Sequence, residues 1–209
     1  MKQTGLTPSS IKKIVKQLAE QHPEFASVIS LYGFPPLWER EPTFQTLVHI
    51  ILEQQVSLAS AKSTLDKLLF VSGNLTPEKF LLYSDADLKS FGFSRQKMLY
   101  CRHLSEMILD GTLKIESLSS MPDDEVREEL IKVKGIGRWS SDVYLLMVLL
   151  RHDIWPKGDL ALAVGYKELF GLKETPTQNE LENIAENWRP YRSVAARLIW
   201  KFYLGKRGK

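Results

Sequence analysis

The segment 124–150 constrains the fold more than any other part of the chain, because two amphipathic stretches meet there at a pair of glycines. Residues 124–132 read as a short helix, Gly135 and Gly137 interrupt it, and residues 139–150 resume it with apolar side chains at 139, 143, 146, 147 and 150. That spacing is typical of a helix with one buried face. The sequence therefore predicts a helix, a tight glycine-containing turn and a second helix over about 124–150.

The glycine turn is also a candidate anion-binding site. Glycine has no Cβ and allows positive φ, so the amides of the turn and of the following helix's first turn can point outward. Such a cluster at a helix N-terminus binds anions, and Lys132, Lys134 and Arg138 flank it. These cations favour a nucleic-acid phosphate as the anion. The alternative is an ordinary connection between two helices with solvated lysines.

Asp159 and a pair of glutamines lie at two other breaks in the helical pattern. Asp159 ends the loop 151–159 and precedes the apolar pattern of residues 160–170, where an N-cap is expected. The N–H groups of a helix N-terminus stabilise an ionised carboxylate there. Gln54 and Gln55 interrupt an apolar pattern between two helices, and their amides suit a wedge that replaces an extruded base. A surface turn is the alternative for the glutamines.

Composition and length exclude several classes of protein. With 209 residues, of which 44% are hydrophobic and 25% charged, the chain is globular and large enough for one domain or two small subdomains. Cys101 is the only cysteine, which excludes an intrachain disulfide and a four-cysteine iron–sulfur cluster. The longest apolar run, 143–150, is too short to span a membrane, and residues 1–8 lack the apolar core of a signal peptide. We therefore expect an intracellular protein without a membrane partner.

Positive charge is concentrated at the C-terminal end, although the net charge is only +3. Residues 188–209 contain seven basic residues and no acidic one. A helix over about 190–204 is expected to bury an apolar face and to carry Arg192, Arg197 and Lys201 on a basic rim. Such a face suits a DNA-binding protein, whereas a frayed tail explains residues 206–209 equally well.

Several of these stretches together resemble one protein family. The sequence 133–142, Val-Lys-Gly-Ile-Gly-Arg-Trp-Ser-Ser-Asp, followed by Asp159 in Trp-Pro-Lys-Gly-Asp, is similar to the helix-hairpin-helix and Gly/Pro-rich loop of the base-excision DNA glycosylase (HhH-GPD) superfamily. Within the superfamily, the chain resembles the 3-methyladenine DNA glycosylase II family in a short form without the extra N-terminal domain. Residues 51–59, 92–100 and 188–196 are also similar, so the resemblance covers about 40–204.

The resemblance implies an all-α fold in which one catalytic domain, 1–209, consists of two helical subdomains flanking a DNA-binding and active-site cleft. It implies a monofunctional DNA glycosylase of base excision repair, which flips alkylated purines of the 3-methyladenine and 7-methylguanine type from duplex DNA and hydrolyses the N-glycosidic bond. The partner is then double-stranded DNA with damaged bases. A monomer is expected, in the cytoplasm or nucleoid of a prokaryote or the nucleus of a eukaryote. The alternatives are a non-catalytic helix-hairpin-helix DNA-binding module and a glycosylase for 8-oxoguanine or hypoxanthine.

The resemblance also implies roles for individual residues. Asp159 is the expected catalytic carboxylate, and Trp139 is expected to line the base pocket, where an aromatic face attracts a cationic alkylated purine. Gln55, in preference to Gln54, is the expected DNA-inserting residue. The residues expected to bind DNA phosphates are Gly135, Gly137, Lys134, Arg138 and Ser140.

Two further expectations concern ions and reaction type. The main-chain carbonyls of Ile131, Val133 and Ile136 are expected to hold a monovalent cation, Na⁺ or K⁺, and no cofactor is expected for catalysis. Relatives that also cut the strand carry a lysine near the position of Trp139, and its amine forms a Schiff base with the sugar. Because this position is aromatic here, we expect no strand-cleaving lyase activity.

Overall fold

Helices account for the regular secondary structure of the chain. The computed structural model describes residues 5–208, and these contain no strand. The α-helices are α1 (Pro8–Gln21), α2 (Pro23–Tyr32), α3 (Phe44–Glu53), α4 (Leu58–Ser72), α5 (Pro77–Leu82), α6 (Asp85–Phe91), α7 (Arg95–Leu109), α8 (Asp123–Ile131), α9 (Arg138–Met147), α10 (Leu160–Leu169), α11 (Gln178–Ala185) and α12 (Arg192–Lys206). Short 3₁₀ helices cover Ile115–Ser120 and Glu186–Trp188. The predicted all-α class is confirmed.

Side-chain caps define where most of these helices begin. A Ser, Thr or Asp oxygen accepts a hydrogen bond from a main-chain N–H of the first turn, which satisfies a group that has no partner inside the helix. The capping residues are Thr7, Thr43, Ser57, Thr76, Ser84, Ser94, Asp159 and Thr177. None of the helices within residues 5–208 combines the length and apolar character that a membrane crossing needs.

The chain divides into two compact units, and α9 continues from one into the other. The first unit comprises residues 5–39 and 145–208, with α1, α2, the end of α9 and α10 to α12. The second unit comprises residues 40–144, with α3 to α8 and the beginning of α9. The prediction of one catalytic domain over 1–209 stays a prediction, and residues 1–4 and 209 lie outside the described part.

The first unit is built around α12, which packs against α1, α2 and α10. The residues 193–200 of this helix are all buried. The first unit also contains an aromatic cluster. Trp155 in the loop 151–159 packs on Trp188 with ring centroids 5.5 Å apart, and the Phe25 ring centroid lies 5.5 Å from that of Trp188. Burial of such large rings supplies much of the stabilisation of a small unit. This cluster fixes the loop that carries Asp159.

The expected basic rim of the last helix is wrong for Arg197. The helix covers Arg192–Lys206, close to the expected bounds, but Arg197 is fully buried within it. The Arg197 guanidinium donates hydrogen bonds to the main-chain oxygens of Leu37 at 3.0 Å, Ser193 at 3.0 Å and Leu146 at 2.6 Å. Burial lowers the pKa of Arg197 to about 9, which leaves the group charged at neutral pH. Three carbonyl dipoles therefore compensate a cation that helical periodicity placed on the surface.

The second unit is built around α3, which packs against α4 and α7. Its apolar residues Phe44, Leu47, Val48, Ile50, Ile51 and Leu52 are all buried. The last residue of the helix, Glu53, is also buried and forms a bidentate ion pair with Arg40, at 2.9 and 2.7 Å. A buried carboxylate requires such a partner. The pair fixes the end of α3, from which the two glutamines follow.

Candidate functional site

The predicted helix-hairpin-helix is present, and its first helix and turn lie in the second unit. Helix α8 (Asp123–Ile131) leads into the turn 132–137, and α9 begins at Arg138. The expectation that the second helix extends to Leu150 is wrong, because it ends at Met147. Leu150 has a positive φ of 53°, and the Arg151 N–H donates to the Leu145 oxygen at 3.0 Å. This hydrogen bond satisfies a carbonyl at the helix end and turns the chain out of the helix.

The two glycines of the turn have different structural roles. Gly135 has a φ of +84°, and a Cβ added there would lie 2.0 Å from the Cδ2 atom of Tyr100. Gly137 lies outside the left-handed region, and a Cβ there would meet no atom within 4 Å. The fold therefore requires glycine at position 135. At position 137, neither the backbone conformation nor the available space requires glycine. The open surface at Gly137 allows a ligand to approach the main chain closely.

The hairpin turn is held by the side chain that follows α3 and by one from α7. The Gln54 amide nitrogen, just after α3, donates to the Gly135 oxygen at 2.8 Å and to the Ser140 hydroxyl at 2.9 Å. The Lys134 main-chain N–H donates to Nδ1 of His103 on α7 at 3.1 Å. The turn is thus fixed by contacts between residues distant in sequence.

The basic residues around the turn differ in exposure and in ion pairing. Lys134 is exposed, and Arg138 is half exposed with its Nε donating to the fully buried Asp142 at 2.9 Å. Arg127 contacts the same carboxylate at 2.7 Å. Lys132 pairs with Glu129 at 2.6 Å. Lys134 and the outer guanidinium nitrogens of Arg138 are therefore the cations best placed for an external anion.

Ser140, one of the residues expected to bind a DNA phosphate, is buried in the structure. Ser140 is only 3% exposed, and its hydroxyl accepts the hydrogen bond from the Gln54 amide. The hydroxyl is thus engaged inside the second unit. Any contact of Ser140 with a phosphate would involve its main chain in the first turn of α9.

The carbonyls proposed for a monovalent cation lie at the C-terminal end of α8 and in the turn. Ile131 is the last residue of α8, and the Val133 oxygen accepts the Ile136 N–H at 3.0 Å. A carbonyl oxygen has a second lone pair, so this bond is compatible with an ion. Neutral carbonyls suit a hard monovalent cation. Within residues 5–208, no cluster of three His, Cys, Asp or Glu residues could hold a metal ion.

The two glutamines occupy the junction between α3 and α4, as predicted, but they differ in environment. Gln54 terminates α3, and its side chain bonds to the hairpin turn. Gln55 is exposed and has a φ of 56°, which places a residue with a Cβ in the left-handed region. Of the two residues, Gln55 is therefore the more exposed to solvent.

Asp159 begins α10 in the first unit. Its Oδ1 accepts the Leu162 main-chain N–H at 2.8 Å, as an N-cap does, and also the Trp200 indole N–H at 3.2 Å. Trp200 belongs to α12 and is buried, while Asp159 is partly exposed. The predicted cap is confirmed. Sequence reasoning missed Trp200, because no spacing between a loop aspartate and an aromatic residue of a distant helix is diagnostic.

The loop before Asp159 is tied to the start of α12. Asp153 pairs with Arg192 at 2.8 Å and with Arg189 at 2.7 Å, and the Ser193 hydroxyl accepts the Ile154 N–H at 2.9 Å. The first half of the loop 151–159 is thus anchored at several points, and the hydrogen bond to Trp200 holds Asp159 at its end.

Trp139 and Tyr144, two aromatic residues of α9, differ in exposure. Trp139 lies in the first helical turn and is half-buried, so part of its ring is accessible. Tyr144 is fully buried, and desolvation raises the pKa of its phenol. In the first unit, Trp38 has a φ of 49° and contacts the edge of Trp200, with ring centroids 6.2 Å apart.

An all-α fold with a helix-hairpin-helix, exposed cations at its turn and a capped aspartate at the end of a loop fits the class of helical DNA-binding proteins. The family described as "HhH-GPD superfamily base excision DNA repair protein" matches residues 48–190, and the chain belongs to this family. The resemblance inferred from the hairpin and the aspartate loop is therefore confirmed.

Individual relatives and solved structures agree with this assignment. The DNA-3-methyladenine glycosylase 1 of Schizosaccharomyces pombe is 26% identical over 202 residues, which cover 95% of this chain and 88% of the relative. The solved structure of the 3-methyladenine DNA glycosylase from that yeast, in complex with abasic DNA, is similar with a TM-score of 0.83 and 26% identity, over 90% of this chain and 95% of that chain. A DNA-3-methyladenine glycosidase from Bacillus halodurans gives a TM-score of 0.72 and 30% identity, over 94% of this chain and 91% of that chain.

Coverage is smaller for some relatives. The Bacillus subtilis protein YfjP is 28% identical over 184 residues, which cover 84% of this chain but 64% of the relative. The chain therefore spans about two thirds of that protein.

Proposed function

We propose that this chain is a monofunctional DNA glycosylase of base excision repair, which removes alkylated purines of the 3-methyladenine and 7-methylguanine type from duplex DNA by hydrolysing the N-glycosidic bond. The observation that carries the proposal is the Asp159 carboxylate, which is partly exposed and accepts the N–H groups of Leu162 and Trp200. Family membership and the names of the relatives support it.

Asp159 is the proposed catalytic residue. Departure of a purine leaves positive charge on the sugar, and a fixed carboxylate stabilises that charge in the transition state. The same carboxylate can orient the attacking water. The two N–H donors restrict the rotation of the carboxylate. Little reorganisation is then needed when the charge develops.

The hairpin is the proposed grip on the DNA backbone. Main-chain N–H groups near Gly137 and in the first turn of α9 supply donors for a phosphate, and Lys134 and Arg138 supply positive charge. These contacts position a duplex without reading its sequence. The proposed partner is double-stranded DNA with damaged bases, bound by a monomer.

Gln55 is the proposed wedge. A base inside a stacked duplex is out of reach, so an enzyme that acts on it must extrude it and fill the gap. Gln55 is exposed and follows the fixed end of α3. Its amide can replace hydrogen bonds that the extruded base leaves behind.

Trp139 is the proposed contact for the extruded base. An alkylated purine is cationic, and an aromatic face attracts it by about 0.5–2 kcal/mol, whereas a normal base lacks this charge term. Trp139 is half-buried and lies in the first turn of α9, beside the hairpin turn. Because an indole cannot form a Schiff base, we propose that excision proceeds without strand cleavage.

The hairpin carbonyls of Ile131, Val133 and Ile136 are the proposed ligands of Na⁺ or K⁺. Such an ion would supply positive charge next to a bound phosphate. Replacing Na⁺ and K⁺ by tetramethylammonium at constant ionic strength is expected to weaken duplex binding. Unchanged affinity would contradict an ion at this position.

The test is release of free base from methylated duplex DNA by the wild type and by Asp159→Asn. We expect Asp159→Asn to retain duplex binding. Its rate of base release is expected to fall by about 100-fold or more. The matched control is Asp110→Asn, because the exposed Asp110 carboxylate also accepts a main-chain N–H, from Thr112 at 2.8 Å. This control is expected to excise at the wild-type rate.

Each outcome decides between functions. Excision by Asp159→Asn at the wild-type rate would overturn the catalytic assignment. If the wild type binds duplexes but releases no base, the protein is a DNA-binding module. Release of 8-oxoguanine or hypoxanthine in preference to methylated purines, measured on defined duplexes, would change the substrate class and keep the mechanism.

A further inference from the structure

We propose that Gln54 is a positioning residue, which fixes the wedge turn (residues 54–57) to the hairpin turn (residues 132–137). A grip on the DNA backbone then determines where Gln55 enters the duplex. This inference rests on the proposed function, because it assigns Gln54 a part in base extrusion. It does not require that excision follows.

The first observation is the way in which the Gln54 amide is used. A primary amide nitrogen carries two N–H groups. One contacts the Gly135 oxygen at 2.8 Å and the other the Ser140 hydroxyl at 2.9 Å. A main-chain oxygen can only accept, so the nitrogen of Gln54 must face the hairpin. Both of its donors are thus committed to the hairpin and to the first turn of α9.

The second observation is that these contacts fix the tip of the hairpin. The peptide unit between Gly135 and Ile136 is planar, with its C=O and N–H pointing in opposite directions. The C=O accepts from Gln54 at 2.8 Å, and the N–H donates to the Val133 oxygen at 3.0 Å. Both polar ends of this peptide are therefore held. Gln54 orients the main chain immediately before the exposed Gly137.

The third observation is that the wedge turn is fixed on its other side as well. The Lys97 ammonium donates to the Leu52 oxygen at 2.7 Å, and Glu53 is buried in its bidentate pair with Arg40. Gln55 follows with a φ of 56°. A residue with a Cβ keeps such a conformation only when its surroundings determine it. Here the surroundings are the fixed end of α3 and the Gln54 contacts.

Hairpin and wedge turn therefore move together. If the hairpin amides hold a phosphate, Gln54 transmits that position to the next residue, Gln55. Gln54 itself need not touch DNA. A purely structural role would instead make Gln54 important for stability and for all DNA binding alike.

The experiment compares Gln54→Met, Gln55→Ala and the double variant. The probe is a duplex with a tetrahydrofuran abasic analogue next to 2-aminopurine, whose fluorescence rises when it unstacks. Methionine has about the shape of glutamine and no donor, so it breaks both contacts with little change in volume. The matched control is Gln45→Met, which makes the same change in the first turn of the same helix.

We expect Gln54→Met to lower the affinity for the abasic duplex about 10-fold and to reduce the unstacking signal, while affinity for undamaged duplex changes less than about 2-fold. Gln55→Ala is expected to act in the same direction. Because Gln54 acts through Gln55, the double variant is expected to equal the more severe single variant. Ser140→Ala removes one of the two acceptors and is expected to cause a smaller loss, about 3-fold.

The proposal is overturned if the effects of Gln54→Met and Gln55→Ala add, or if Gln54→Met weakens binding to undamaged and abasic duplexes equally. Should Gln54→Met fail to fold, Ser140→Ala combined with Gln55→Ala provides the same test of additivity. The fluorescence assay needs no chemistry. Loss of the proposed excision activity would therefore be seen separately, as absence of free base from the wild type.

Discussion

The indole N–H of Trp200 donates to Oδ1 of Asp159 at 3.2 Å, the same oxygen that caps α10 through the Leu162 N–H. One carboxylate oxygen thus receives hydrogen bonds from a helix N-terminus and from a side chain of α12. A cap alone would satisfy the helix. The additional donor restricts the orientation of the carboxylate beyond what the cap alone would fix.

Trp200→Phe is expected to lower the rate of base release about 10- to 100-fold while duplex binding is retained. The change keeps an aromatic ring beside Trp38 but removes the only donor of the indole, and hydrogen bonds to charged groups are worth about 1.5–3 kcal/mol. Single-turnover release of methylated purines measures the effect.

The control for Trp200→Phe is Trp188→Phe. Trp188 is buried in the aromatic cluster with Phe25 and Trp155, away from the Asp159 carboxylate contacts given above. We expect this control to lower thermal stability with a much smaller effect on the release rate. Equal release rates in the two variants would show that the indole donor does not matter.

The two hairpin glycines are expected to separate folding from DNA binding. Gly135→Ala forces a Cβ into the Tyr100 ring at a positive φ, so we expect a loss of about 2 kcal/mol or more in the free energy of unfolding. Gly137→Ala meets no atom within 4 Å and is expected to leave stability within about 0.5 kcal/mol of wild type. Its Cβ lies where a phosphate is proposed to approach, and duplex affinity is expected to fall about 10-fold. Urea unfolding and fluorescence anisotropy measure the two quantities, and unchanged duplex affinity in Gly137→Ala would argue against a phosphate at this turn.

Local patterns predicted the helices and the hairpin because these depend on neighbouring residues. Apolar spacing and capping residues are sufficient to place α3, α8 and the Asp159 cap. The pattern did not predict that α9 ends at Met147, because the Arg151 N–H to Leu145 oxygen bond and the positive φ of Leu150 are set by the fold. The helical periodicity of α12 also could not show that Arg197 is buried, because its burial depends on three main-chain oxygens that accept its hydrogen bonds.

The candidate site depends still more on contacts between distant residues. Gln54 and Gly135 are 81 positions apart, and Trp200 and Asp159 are 41 apart. Neither pair leaves a periodic trace in the sequence. The residue types at the site were therefore predictable from motifs, whereas the separation of roles between Gln54 and Gln55, and the burial of Ser140, required the fold.

The buried thiol of Cys101 is expected to be unreactive in the folded protein. It is fully buried, and desolvation raises its pKa, which disfavours the reactive thiolate. Its reaction with a disulfide reagent should therefore follow unfolding and accelerate in urea together with the loss of helical circular dichroism. Rapid labelling in native buffer would contradict this burial.

His49 is expected to make stability depend on pH between about 5 and 7. Burial is the main cause that lowers its pKa, and the nearby Arg40 acts in the same direction, whereas Glu53 opposes them. The unfolded chain then binds a proton near its ordinary pKa of about 6.5, while the folded protein resists protonation. More protons are bound in the unfolded state, so the free energy of unfolding falls as pH falls through this range. His49→Gln should show a shallower decrease in urea titrations at several pH values, and equal slopes would contradict the assignment.

Replacement of Arg197 by lysine, the other basic side chain of similar length, is expected to destabilise the protein. Its planar guanidinium donates to the oxygens of Leu37, Ser193 and Leu146 simultaneously, and a lysine ammonium cannot reproduce this arrangement. Arg197→Lys retains a buried charge with fewer hydrogen bonds, so we expect a loss of about 2–3 kcal/mol in the free energy of unfolding and a Tm lower by roughly 4–10 °C. The control is Arg207→Lys, which alters a partly exposed pair between the C-cap of α12 and Glu168 of α10 and should change stability by less than about 0.5 kcal/mol. The Leu37 contact also fixes the segment that carries Trp38, so Arg197→Lys should slow base release as well. Equal stability of Arg197→Lys and Arg207→Lys would show that the three carbonyl contacts contribute little.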